Sequence, residues 1–227
     1  MILLAIDTST EMASLALNKD NKLLAELTWL CGQNHTTELL PQLNYLLGKT
    51  KINIETIGGI IVAKGPGSFN GLRVGIGTAK GLAFSLDIPI VGISTLETTA
   101  YQHALSGLPV CPIHNAGRNE IATAVYQKKR NKWEQLVPEK ITSLDDLLSG
   151  ISTKTVFCGE YIPAISEIIV SRIRTKAIIP PYSALTRRAQ FLIELGQKQF
   201  QLGHNDNNAT LQPLYLRRPP ITERKHQ

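Results

Sequence analysis

Nineteen residues, Lys64 to Leu82 (KGPGSFNGLRVGIGTAKGL), restrict what this chain can fold into more than any other stretch. They hold glycine at 65, 67, 71, 75, 77 and 81, far above the usual share of about 7%. Immediately upstream, Ile57 to Ala63 is a short run rich in Ile and Val that predicts a buried strand, and Gly65-Pro66-Gly67 breaks it in a turn. Ser68 is the expected N-cap of a helix from Phe69 to Phe84. Glycine inside a helix costs about 1 kcal/mol relative to alanine, so packing has to offset the glycines of this one. Gly71, Gly75 and Ala79 stand at i, i+4 and i+8, a row of small residues along which another backbone can approach closely. That backbone belongs either to this chain or to a second subunit. The spacing fits neither GxxxxGK[ST] nor GxGxxG, so the glycines do not predict a phosphate cradle.

The stretch GPGSFNGLRVGIGTAKGLA closely resembles the signature of the TsaB family, also called YeaZ. His35 with Leu39-Leu40-Pro41, and the late segment Gln212-Pro213-Leu214-Tyr215-Leu216-Arg217, resemble the same family at either end of the chain. Two departures stand out. Asn70 replaces the usual Thr, and His114-Asn115-Ala116-Gly117-Arg118-Asn119-Glu120 stands where the family reads Asp-Ala-Arg and a further basic residue, which weakens any ionic role for that turn. The resemblance implies an α/β chain of the actin-like (ASKHA) fold. It also implies a non-catalytic subunit that pairs with TsaD, and with the ATPase TsaE, in threonylcarbamoyl transfer to the tRNA adenosine beside the anticodon. It further implies a homodimer in isolation, indirect contact with tRNA, and ATP or ADP only at an interface shared within the complex. The glycine helix and the helix before it would form the pairing surface, with Leu39, Leu43, Leu46, Gly71, Leu72, Gly75 and Ala79 as its residues.

Taken in order, Met1 to Asp7, Ala13 to Asn18 and Leu23 to Trp29 read as three strands, with Asp20-Asn21 as the turn between the last two. Asp7-Thr8-Ser9-Thr10 resembles the first phosphate loop of actin-like ATPases and is the candidate nucleotide-binding turn; a plain polar hairpin turn is the equal alternative. Leu39, Leu40, Leu43, Leu46 and Leu47 give His35 to Leu47 one apolar helical face. His35 with Glu38 lacks the HExxH spacing, so His35 is expected to be a cap or surface residue, and no metal site is expected. Ile88 to Ile93 is a strand, and Ser94 with Glu97 makes a capping box for a helix to Leu105. Three strands, a short helix, a strand (Thr155 to Cys158), a helix (Tyr161 to Val170), a strand (Lys176 to Ile179) and a long helix (Ala184 to Leu202) then repeat the order. Two subdomains of βββαβα type follow, 1–106 and 107–227, with the tail able to return to the first and the residues beyond Pro219 expected to fray.

The net charge is +6, but residues 1–100 hold seven Lys/Arg against eight Asp/Glu, so the basic excess lies wholly in the second half. A basic half admits an RNA-binding module, yet no aromatic-rich binding motif accompanies it. Cys31, Cys111 and Cys158 are widely spaced and predict reduced thiols in a cytoplasmic protein. The apolar run Ile2 to Ile6 is too short for a signal or a membrane span. An enzyme of the same fold, a small-molecule kinase or ATPase, is the alternative function. It would need a complete set of phosphate loops, a carboxylate such as Asp7 and a glycine-rich adenosine wall, for which the second half offers only Cys158-Gly159-Glu160.

Overall fold

The computed structural model describes residues 1–130 and 132–217. The expected succession of strands and helices along the chain is present. The first half runs β1 (Ile2–Asp7), β2 (Met12–Lys19), β3 (Lys22–Leu30), α1 (His35–Thr50), β4 (Ile57–Gly65), α2 (Phe69–Leu86), β5 (Ile90–Ser94) and α3 (Thr95–Tyr101). The second repeats it with β6 (Val110–Gly117), β7 (Glu120–Lys129), β8 (Lys132–Ser143), α4 (Leu144–Ser149), β9 (Thr155–Cys158), α5 (Ile162–Ile173), β10 (Ala177–Ile178) and α6 (Ala189–Gln201). The sheets are ordered β3-β2-β1-β4-β5 and β10-β9-β6-β7-β8, which is one topology drawn twice in opposite directions. In each, the first strand pairs antiparallel with the second and parallel with the fourth. This duplication without a sequence repeat is the actin-like arrangement.

Local chemistry sets the element ends. Asp20 and Asn21 take φ of 49° and 67°, the left-handed pair that a two-residue hairpin turn demands. Ser68 accepts a hydrogen bond from the Gly71 amide and Ser94 from that of Glu97, so both expected caps form.

The helices do not stay with their own halves. One face of the first sheet is covered by α1 and α2. Its other face is covered by α6, whose Ala189, Leu192, Ile193 and Leu195 pack on Leu3, Ala5, Ile61 and Ile93. A Cβ on Gly196 would stand 2.5 Å from Ile61, so α6 lies as near to β4 as glycine permits. Conversely, α3 sends Leu96 and Ala100 against Val110, Ala124 and Val156 of the second sheet, while α4 and α5 cover that sheet's outer face. The late segment also crosses back: the Leu214 amide bonds to the Lys64 carbonyl at 2.6 Å and Tyr215 stacks on Phe69 at 5.5 Å.

Two expectations are corrected. Leu39, Leu43, Leu46, Gly71, Leu72, Gly75 and Ala79 are all buried in the chain's own core, because the small-residue row of α2 packs on the turn after β1. A Cβ on Gly71 would overlap the Thr8 carbonyl and one on Gly75 the Thr8 hydroxyl. The expected helix from Ala184 begins only at Ala189, since Arg187 and Arg188 are drawn towards acids of the first half and Arg188 is extended. The end of the chain from Arg218, including the part expected to fray, lies outside the described residues. Among the described residues no helix is long and apolar enough to cross a membrane.

Candidate functional site

The turn after β1 lies on the seam between the halves. Central β1 is wholly buried and ends at Asp7, so the chain must reverse with polar side chains inside the protein. Each finds an internal partner. Thr8 Oγ1 donates to the Gly71 carbonyl at 2.7 Å, and both the amide and the hydroxyl of Ser9 donate to Asp7 Oδ1, at 2.9 and 2.6 Å. The glycine loop closes over them, with the Ser68 amide 2.7 Å from the Ser9 carbonyl. His35 is neither surface nor cap: it is buried, and its Nε2 donates to the Thr10 carbonyl at 2.8 Å.

The second half contributes Arg187 and Glu160. Arg187 Nε is 2.5 Å from Asp7 Oδ2, and Nη2 reaches Asp7 Oδ1, Ser9 Oγ and Thr10 Oγ1 at 3.2, 2.9 and 3.2 Å. Thr10 in turn donates to Glu160 Oε2 at 2.7 Å, while Glu160 Oε1 lies 3.4 Å from Arg187 Nη1 without hydrogen-bond geometry. Glu160 is placed by Gly159, whose φ of 110° and approach to the Ile113 carbonyl leave no room for a side chain. Burial pushes the Asp7 carboxyl up, but the charge and hydrogen bonds of Arg187, with those of Ser9, outweigh it and hold the carboxyl below its ordinary range. Burial likewise opposes the Arg187 charge, and Asp7 and Glu160 restore it.

His114, at the end of β6, completes the seam. Thr99 Oγ1 gives its proton to the Thr95 carbonyl at 2.8 Å, so at 3.1 Å it accepts from His114 Nε2–H. Nδ1 therefore carries a lone pair, and it is buried without a partner among the described residues. Burial, helped by the Arg187 charge and opposed by Asp7, takes the His114 pKa down to about 3. Above these groups a cleft of about 530 Å³ opens between Thr10, Glu11, Ser68, His114, Glu160 and Tyr161.

Of the sequence-derived candidates, Asp7 to Thr10 thus come together with Arg187, which the sequence did not single out, and with His114 and Glu160, which it placed in other settings. Arg187 falls inside the expected helix from Ala184 to Leu202, His114 is part of a turn and Glu160 part of a glycine wall. The usable signal was a buried acid in want of a cation, which says nothing about which of the 24 Lys and Arg supplies it. The residues do not fit a magnesium nucleotide held by Asp7: its oxygens already accept from Arg187 and Ser9, and the Ser9 and Thr8 hydroxyls are spent. Among the described residues no group of three or more His, Cys, Asp or Glu could hold a metal ion. A larger cavity, about 660 Å³, lies elsewhere, between Lys64, Glu97, Trp133, Glu139 and Asp206, and shares no residue with the turn.

A protein-family model described as "TsaD: tRNA N6-adenosine threonylcarbamoyltransferase" matches residues 29–222. The chain is 34% identical over 203 residues, 88% of each protein, to the tRNA threonylcarbamoyladenosine biosynthesis protein TsaB of Bacillus subtilis (strain 168). It belongs to the TsaB (YeaZ) family. The TsaB of Haemophilus influenzae is 29% identical over 230 residues, 96% of this chain and 94% of that protein. The solved YeaZ from Pseudomonas aeruginosa superposes with a TM-score of 0.78 at 24% identity, over 94% of this chain and all of that one, and so shares the fold. The departures of this TsaB-family chain from the family turn now have places. Asn115 accepts from the Gly117 amide at 2.8 Å, and Gly117, Arg118 and Asn119 take φ of 72°, 56° and 61° to turn β6 into β7. The nearby charge is used instead by Glu120, which pairs with Arg217 of the returning tail.

Proposed function

We propose that this chain is a non-catalytic scaffold in the synthesis of threonylcarbamoyladenosine on tRNA, pairing with TsaD and working with TsaE. The observation that carries the reading is the Arg187–Asp7 pair: the carboxylate that an actin-like enzyme would offer to a metal or substrate is neutralised inside the chain. The kinase alternative loses its candidate catalytic acid for the same reason. ATP or ADP, where the complex uses it, is held at the joint surface.

The pairing surface is the outward side of the same two helices. On α2, Arg73, Gly77, Gly81 and Phe84 form an exposed row, with Phe84 82% exposed and, among the described residues, open space over both glycines. Leu40 and Tyr45 of α1 are each 54% exposed. An apolar rim around glycines suits the close approach of a second copy or of TsaD. The test is reconstitution: the purified chain alone should neither make threonylcarbamoyladenosine nor hydrolyse ATP, and its addition to TsaD, TsaE and the supply of threonylcarbamoyl donor should restore synthesis. ATP turnover by the isolated chain would overturn the proposal.

A further inference from the structure

The cleft above Arg187 offers acceptors and negative charge, the reverse of a phosphate site. Asp7 and Glu160 share a single guanidinium, and the exposed Glu11 adds a third acid at the mouth. Among the described residues, no Lys or Arg lines the cleft. Among the described residues its floor holds two buried acceptors without hydrogen-bond partners, His114 Nδ1 and Glu160 Oε1, the latter 3.4 Å from Arg187 Nη1, which pairs with it in charge but likewise makes no hydrogen bond, while the hydroxyls of Ser9 and Thr10 already donate elsewhere. A buried acceptor left unmade is costly, and only a group bringing N–H or O–H donors relieves it. We propose that this cleft binds an ammonium or guanidinium group, with His114 Nδ1 and Glu160 Oε1 accepting its protons and Glu11 adding charge, and that it rejects phosphate. Neutral His114 is suited to this, because an imidazolium there would present a donor and repel a cation. The inference goes beyond the pairing proposed above and stands whether or not that pairing holds.

The experiment uses the full-length chain with ¹⁵N-labelled histidine. Agmatine, the tripeptide Gly-Arg-Gly, inorganic phosphate and magnesium ATP are titrated in turn, while calorimetry and the His114 ring-nitrogen shifts are followed. Agmatine is expected to bind and to move the Nδ1 resonance, with phosphate and ATP leaving it in place. Glu160→Gln should weaken agmatine about tenfold, which corresponds to about 1.4 kcal/mol. Because Glu160→Gln also touches the Arg187 cluster, Glu11→Gln serves as the second variant; it should weaken binding several-fold with an unchanged melting temperature. Binding of agmatine alone supports a free small cation, and binding of both agmatine and the tripeptide supports a basic side chain of a partner. An Nδ1 resonance that moves with ATP or phosphate, no movement with agmatine, or full agmatine affinity in both variants would overturn the proposal.

Discussion

Asp7 and Arg187 stand or fall together. Removing one partner of a buried ion pair strands the other charge, at a cost of about 3–5 kcal/mol, whereas replacing both with apolar residues of similar volume is often close to neutral. Asp7→Ala should therefore lower stability by about that much, measured by urea unfolding, and Asp7→Leu with Arg187→Met should lose much less. Equal losses would show that the pair does not act as a unit. His114 gives a second test at this scale. Its folded pKa is depressed to about 3 from 6.5, so between those values the unfolded chain binds the proton and the folded chain does not. Stability then declines as pH falls from 6.5 towards 3, with a slope of up to about 1.4 kcal/mol per pH unit from this one group. Asp7 acts in the same sense lower down: its contribution is present above 3.8 and is lost as pH falls towards its depressed folded value. Melting temperatures from pH 7 to 3 should show a shallower decline in His114→Gln than in the parent, and superimposable curves would refute a neutral buried imidazole.

Helix α2 carries two glycine rows of opposite meaning. Along the inner row, a methyl group at Gly75 would overlap Thr8, so Gly75→Ala should destabilise by about 1–3 kcal/mol. Along the outer row nothing among the described residues stands within 4 Å of a Cβ at Gly77 or Gly81. There Gly81→Ala should stabilise the isolated chain by up to about 1 kcal/mol through helix propensity alone. If the outer row faces a partner, Gly81→Leu should keep the parent's melting temperature yet fail to associate in size-exclusion runs with TsaD or with itself. Unaltered association would remove this face from the pairing surface. Helical periodicity in the sequence locates both rows, because small residues recur at i+4 in each. It does not say which is inside, since a glycine row favours close approach equally to a strand end or to another molecule.

At the scale of the whole molecule, the exchange of α3 and α6 ties each half to the other. Without α6, the face of the first sheet formed by Leu3, Ala5, Ile61 and Ile93 would lie open to water. Residues 1–106 expressed alone should therefore lack a cooperative thermal transition by circular dichroism, and co-expression with residues 107–227 should restore one. A sharp melt from 1–106 alone would show that the first half is complete in itself.

The order of elements, the caps at Ser68 and Ser94, the hairpin at Asp20-Asn21 and the family signature were all legible in the sequence, because each depends on residues within a few positions of one another. Such features are fixed by local φ/ψ preference and by hydrophobic period. Only the tertiary structure decided that Arg187 meets Asp7 across 180 positions, that His114 is held neutral, and that the α2 row turns inward. Those outcomes depend on which surfaces a duplicated pair of sheets buries when their helices cross. Burial and long-range charge pairing are properties of the assembled core, to which one-dimensional spacing is blind.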